Sequence, residues 1–234
     1  MERPSALDGH TRLPAAVLWD MDGTLVDSEK LWDIALHDLA AHLGGTLSSA
    51  ARKAMIGANM SATLVLLFAD LGLPAEPDAL ARAGDWLRQR TAELFRGQLP
   101  WRPGAERALR AVRAAGLPTA LVTSTERALT EIALDRIGRE FFDVTVCGDE
   151  VDGRNKPHPE PYLRAARLLG VRPDDCVAVE DSPTGTQAAV AAGATVLVVP
   201  CEVDVPPGER RVIRESLVGL DVAELGRLLT AEAA

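Results

Sequence analysis

Short, almost wholly apolar runs recur along the chain: Ala15–Trp19, Thr119–Val122, Val144–Cys147, Cys176–Val179 and Thr195–Val199. None alternates with polar residues, which is the pattern of a strand covered on both faces. Between the later runs, apolar positions recur at helical spacing over residues 104–115, 126–137, 159–169 and 183–192. Strict alternation of strand and helix predicts an α/β fold, a doubly wound parallel sheet, to which the run ending at Trp19 belongs.

Residues 29–99 break this rhythm. Leu31, Ile34, Ala35 and Leu39, then Leu64, Leu67, Phe68 and Leu71, keep helical spacing, and no strand candidate lies among them. The pattern predicts an all-helical insert over 29–99, ended by Pro100 and Pro103, between core pieces 1–28 and 100–234. A helical lid of this kind excludes water and selects substrate. Residues 212–231 predict a surface strand or loop followed by a short amphipathic helix.

Composition narrows the partners. A formal net charge of −9 offers no basic field for nucleic acid or an anionic membrane. No run approaches membrane-spanning length, and residues 1–14 lack the apolar stretch of a signal peptide. The expectation is a cytoplasmic protein with a frayed N-terminal extension, monomeric by default. Cys147, Cys176 and Cys201 are too widely spaced for a zinc site or disulfide framework, and the two in or beside apolar runs read as buried inert thiols.

Chemistry gathers where the strands end, and ligands of open parallel sheets bind at the C-terminal edge. After the first strand come Asp20, Asp22 and Thr24; after the second, Thr123, Ser124 and Thr125. Lys156 precedes a proline-marked helix start, and Glu180, Asp181 and Ser182 follow the run at 176–179. Each cluster alone has a bland reading as a helix cap or solvated charge. Four acidic residues, a lysine and several hydroxyls on one edge do not.

Together they suit phosphoryl transfer. Asp20 is the candidate nucleophile and Asp22 the candidate acid and base. Lys156 and Thr123 are placed to bind phosphate oxygens, with Thr24 and Ser124 as further substrate contacts. The metal candidates are Asp20, Asp22 (through its backbone carbonyl), Glu180 and Asp181, and the ion that suits them is Mg2+.

In order and spacing, "DMDGTLVDSE", Thr123, "NKPHPEPYL" with Lys156 and "VEDSPTGTQAAVAAG" resemble the four motifs of the haloacid dehalogenase superfamily, in the branch with a helical cap after the first motif. The resemblance covers about residues 15–200. It implies a Rossmann-like core and a phosphatase acting on a small phosphorylated metabolite, a sugar phosphate foremost, through an aspartyl-phosphate intermediate. Asp22 argues against dehalogenases and cation-transporting ATPases, which lack an aspartate there. Phosphosugar mutases of the beta-phosphoglucomutase type are the alternative, and a non-catalytic phosphate-holding domain is a third reading. The mutases carry a cap arginine shortly after a glycine. Here Gly57 is followed by Ala58, Asn59, Met60 and Ser61, which favours hydrolysis and leaves Asn59 as a candidate substrate contact. Trp32, Trp86, Trp101, His37, His42 and His158 read as packing or surface residues.

Overall fold

The computed structural model describes residues 12–230. The N-terminal extension expected from the sequence lies largely outside the described residues, as does Ala231 at the end of the expected last helix.

In chain order the elements are β1 (Ala16–Trp19), α1 (Glu29–His42), α2 (Ser49–Ala54), α3 (Met60–Asp70), α4 (Pro77–Gly97), α5 (Ala105–Ala114), β2 (Thr119–Val122) and α6 (Arg127–Ile137). There follow β3 (Val144–Val146), α7 (Glu160–Leu169), β4 (Cys176–Glu180), α8 (Pro183–Ala192), β5 (Thr195–Val198), β6 (Arg211–Ile213) and α9 (Val222–Thr230). All six strands run parallel in the order β3-β2-β1-β4-β5-β6. From β1 the chain winds outward through β2 to β3, then returns to β4 on the other side of β1. The winding therefore reverses between β1 and β4, the place where open α/β sheets leave a crevice for ligands.

Strand periodicity divides the apolar side chains between two layers. Val17, Trp19, Leu121, Val177, Val179 and Leu197 face α5, α6 and α9, where Leu109, Leu134 and Leu225 close the layer. Ala16, Leu18, Val122, Val146, Ala178 and Val196 face α7 and α8, packing on Tyr162, Ala165 and Ala188. A third core, built on Leu36, Leu39, Leu64, Leu67 and Leu87, joins α1, α3 and α4, with Leu129 of α6 packed into it.

The helix ends follow their local chemistry. The Ser182 hydroxyl accepts the Gly185 N–H at 3.2 Å, Pro183 occupies the first turn, and α8 stops at Gly193. The expected strand over 144–147 stops at Val146, because the Cys147 N–H donates to Glu150 Oε2 (3.0 Å) as the chain turns away. β4 runs one residue further than expected, since the Glu180 carbonyl accepts the Val199 N–H at 2.8 Å. The expected surface strand is β6, at the sheet edge beside β5.

Helices α1 to α4 carry no strand between them. An ion pair joins them to the loop after β2: Arg88 of α4 grips Glu126, at the start of α6, through Nε (2.5 Å) and Nη2 (3.2 Å).

The turn into α5 depends on Gly104. Its φ is +82°, and a Cβ there would lie 2.3 Å from the backbone of Leu217 and Val218. Gly104→Ala should cost about 1–2 kcal/mol for the left-handed backbone and a further ~1–3 kcal/mol for the forced shift of packed neighbours. Urea unfolding at constant m-value checks this; a loss below about 0.5 kcal/mol would mean that the contact is loose.

Candidate active site

The Asp20 N–H donates to the Val179 carbonyl (3.0 Å), carrying the β1–β4 pairing one step past Trp19. That step sets the Asp20 carboxylate beside Glu180 and Asp181. The chain then turns on Gly23 (φ +80°), where a Cβ would fall 2.1 Å from Asp181 Oδ2, so that only glycine lets the two loops meet.

Lys156 comes in from the loop before α7. Its ammonium donates to Asp20 Oδ1 and Glu180 Oε1, both at 2.6 Å, and to the Val122 carbonyl at 3.0 Å. Tyr162, in the first turn of α7, donates its hydroxyl to the same Glu180 oxygen (2.5 Å), and its ring lies 5.3 Å beneath the ammonium. Glu180 Oε2 accepts from the Asp181 N–H (3.2 Å) and the Ser182 hydroxyl (3.3 Å). Glu180 is fully buried, and Asp20, Lys156 and Asp181 are nearly so.

Burial and crowding act on the charges. Asp20 is pushed up to about 8, by loss of hydration first and the Glu180 charge second, with Lys156 pulling the other way. Asp181 is raised for the same reasons, burial and then Asp20 and Glu180. Burial opposes the Lys156 ammonium, but Asp20 and Glu180 outweigh it and its pKa is raised.

Asp20, Glu180 and Asp181 bring carboxylate oxygens within 4.8 Å of one another. Asp20 Oδ2 is buried without a hydrogen-bond partner. Three carboxylates against one ammonium, with an orphaned oxygen among them, fit a hard divalent cation. The Asp22 carboxylate is not in this group.

Asp22 points elsewhere. Its Oδ1 accepts from the Ser28 hydroxyl (2.7 Å) and the Trp32 indole N–H (3.2 Å); its Oδ2 accepts from Thr123 (3.1 Å) and Thr125 (2.8 Å). Thr123 is thus turned onto Asp22, and it also accepts the Thr125 N–H at 3.0 Å. A cavity lies over these groups, with Asp20, Asp22, Ser124 and Lys156 on the sheet side and Glu29, Trp32, Leu36 and Met60 on the helical side.

Of the other expected residues, Thr24 is buried beside the turn, its hydroxyl without a partner. Asn59 does not line this cavity: its side chain accepts the Ala62 N–H (2.9 Å) and caps α3, the usual employment of asparagine before a helix. His158 is exposed and accepts the Glu160 N–H (3.1 Å), and His42 stacks on Trp86. Cys147 and Cys176 are buried, which pushes their thiols up to about 11 and 12. Sequence reading gave no site role to the partners Ser28, Trp32 and Tyr162, and named Thr125 only within the cluster after the second strand. Their one signal is proximity to a motif residue in sequence.

The sequence model of the haloacid dehalogenase-like hydrolase family matches residues 14–193. The chain belongs to this family of hydrolases. It is 33% identical over 192 residues to a probable pseudouridine-5'-phosphatase of Drosophila melanogaster, covering 78% of this chain and 80% of that one. To hexitol phosphatase B of Escherichia coli (strain K12) it is 32% identical over 191 residues, 79% and 83% of the two chains. The fold is that of beta-phosphoglucomutase from Clostridium difficile: TM-score 0.80 over 94% of this chain and 99% of that one, at 19% identity. The Rossmann-like sheet is thus the haloacid dehalogenase core. Among the described residues, no helix is long and apolar enough to cross a membrane.

Lys156→Met should cost about 3–5 kcal/mol near neutral pH, because Asp20 and Glu180 would be left buried without their cation. The pH dependence separates charge from packing. Carboxyls whose folded pKa is raised hold a proton that the unfolded chain has released, so stability falls as pH rises from about 4 toward 8. Urea unfolding should therefore show a larger deficit for the variant at pH 8 than at pH 5, whereas an equal deficit would point to lost packing.

Proposed function

We propose that the protein is a magnesium-dependent phosphomonoesterase for a small phosphorylated metabolite, a sugar phosphate foremost, with residues 29–99 acting as a cap on the core of 1–28 and 100–234. The observation that carries this reading is the pairing of Asp20, bound to Lys156, with Asp22, bound to hydroxyls, across one cavity. The hydrolase family and the phosphatase names of the relatives support it. The unpaired cysteines suit a reducing cytoplasm, and the acidic net charge suits a soluble monomer without nucleic-acid partners.

Asp20 attacks phosphorus through a carboxylate oxygen while the ester P–O bond breaks, giving an aspartyl phosphate. The departing alkoxide takes a proton from Asp22. Asp22 then removes a proton from water, the resulting hydroxide attacks phosphorus, the P–O bond to Asp20 breaks, and inorganic phosphate leaves. The hydroxyls of Ser28, Thr123 and Thr125 can turn from donor to acceptor, so one set of contacts serves Asp22 in both protonation states. Lys156 orients Asp20 and stands beside the phosphate oxygens, with Thr123 and Ser124 at the same end. Asp20, Asp181 and the Asp22 carbonyl would hold Mg2+, with Glu180 at their flank. When bound, the ion offsets negative charge on the nucleophile and the phosphate.

Nothing in the cavity favours the mutase alternative. Residues 57–61 place no cation over it; of Arg52 and Lys53, which precede Gly57, neither lines the cavity, and Arg52 is bound to Glu29 and Asp33. A phosphate-holding domain has no need of an acid placed for the leaving group.

Phosphate release from a panel of sugar phosphates, with and without MgCl2, tests the reading. Asp20→Asn should abolish turnover with the fold intact. Asp22→Asn should lower kcat/KM, which reports formation of the aspartyl phosphate, by about 10²–10⁴-fold for alkyl phosphates and far less for aryl phosphates, which leave without a proton; equal losses in kcat/KM would remove the acid role. Because protons and cation compete for raised carboxyls, MgCl2 should raise the thermal midpoint more at pH 8 than at pH 5, and an equal rise would place the ion elsewhere.

A further inference from the structure

The cavity has two unlike halves. The sheet side holds the reacting groups, including Lys156, whose ammonium is taken up by Asp20 and Glu180. The helical side is mostly apolar, with Trp32, Leu36 and Met60, and its polar groups include the Thr63 hydroxyl and the Glu29 carboxylate. Among the described residues it presents no lysine or arginine.

Glu29 is buried, and it is fixed from behind. Arg52 donates through Nη2 to Glu29 Oε2 (2.9 Å) and to the Glu29 carbonyl (3.2 Å), while its Nε donates to Asp33 (3.1 Å). Arg52 lines a separate outer groove with Asp33 and Lys53, and Glu29 is the residue common to groove and cavity. Arg52 lines the groove and not the cavity, so the acidic residue of the pair is the one that the cavity shares. Its second oxygen, Oε1, receives no donor from the described residues. A carboxylate oxygen that accepts from no protein group is free to accept a ligand hydroxyl. A ligand anion at the same spot meets a like charge, while the Arg52 guanidinium lies on the groove side of that carboxylate.

We propose that Glu29 sets substrate specificity: it accepts a hydroxyl from the neutral polyol portion of a phosphate monoester and turns away esters bearing a second anionic group. Arg52 is its positioning residue. This rests on the phosphatase reading and names the substrate class within it.

The test compares kcat/KM for sorbitol 6-phosphate, fructose 1,6-bisphosphate and p-nitrophenyl phosphate in the wild type, Glu29→Ala and Glu29→Gln, with MgCl2 present. The wild type should prefer the hexitol monophosphate to the bisphosphate. Glu29→Ala should lower kcat/KM for the hexitol ester by about 10- to 100-fold, chiefly through KM. It should raise that for the bisphosphate, because Arg52 is released. Glu29→Gln keeps an acceptor oxygen and loses the charge, so it should hold the hexitol ester within about 3-fold of wild type while still gaining on the bisphosphate. If Glu29→Ala changes all three esters by one factor, or the wild type prefers the bisphosphate, the assignment is overturned while the phosphatase reading stands. Release from none of the three by the wild type would overturn both.

Discussion

A single ammonium held between two buried carboxylates is the constraint from which the rest of the site follows. Lys156 is 3% exposed at its side chain, and burial of a charge on this scale is tolerable only with close partners of opposite sign. Asp20 and Glu180 are those partners, and they come from β1 and β4, the two central strands between which the winding reverses. Holding them 2.6 Å from one nitrogen fixes the relative height of the two strand ends. It also leaves a surplus of negative charge, since Asp181 joins the group without an ammonium of its own.

Two aspartates one residue apart consequently live in opposite surroundings. Asp20 sits among charges with little water, where its state is governed by what is bound beside it. Asp22 sits among neutral donors drawn from three places: the turn before α1, α1 itself and the loop after β2. The intervening residue, Met21, is buried and faces the apolar layer with Trp19. The local chain path thus points successive acidic side chains at separate tasks, and the tight turn at Gly23 returns the backbone before a third side chain enters the site.

Much of this was legible because a parallel strand covered on both faces has to be apolar throughout, so β1, β2, β4 and β5 announce themselves in the sequence. The edge strand β6, with half-exposed Arg211 and Val212, carries no such run and was readable only as strand or loop. Asp20, Lys156, Glu180 and Asp181 were legible together because each directly follows a strand or precedes a marked helix. Ser28, Trp32, Thr125 and Tyr162 were not, since a hydroxyl or indole near a motif has many uses and its partner is chosen by the three-dimensional path. Asn59 shows the converse: a polar loop residue near the site is as readily spent on a helix N-terminus as on a ligand.

The Arg88–Glu126 pair links a helix of the 29–99 segment to the loop that carries Ser124 and Thr125. At 38% and 19% side-chain exposure it stands within reach of dissolved ions. Mobile ions damp such attractions over about 8 Å at physiological ionic strength, and pairs this exposed contribute about 0–1 kcal/mol. That is enough to change a population ratio by a factor of about five. The grip of α4 on the site's edge is therefore set partly by the surrounding salt, tighter in dilute solution and looser in brine, while the buried charges beneath it are screened far less.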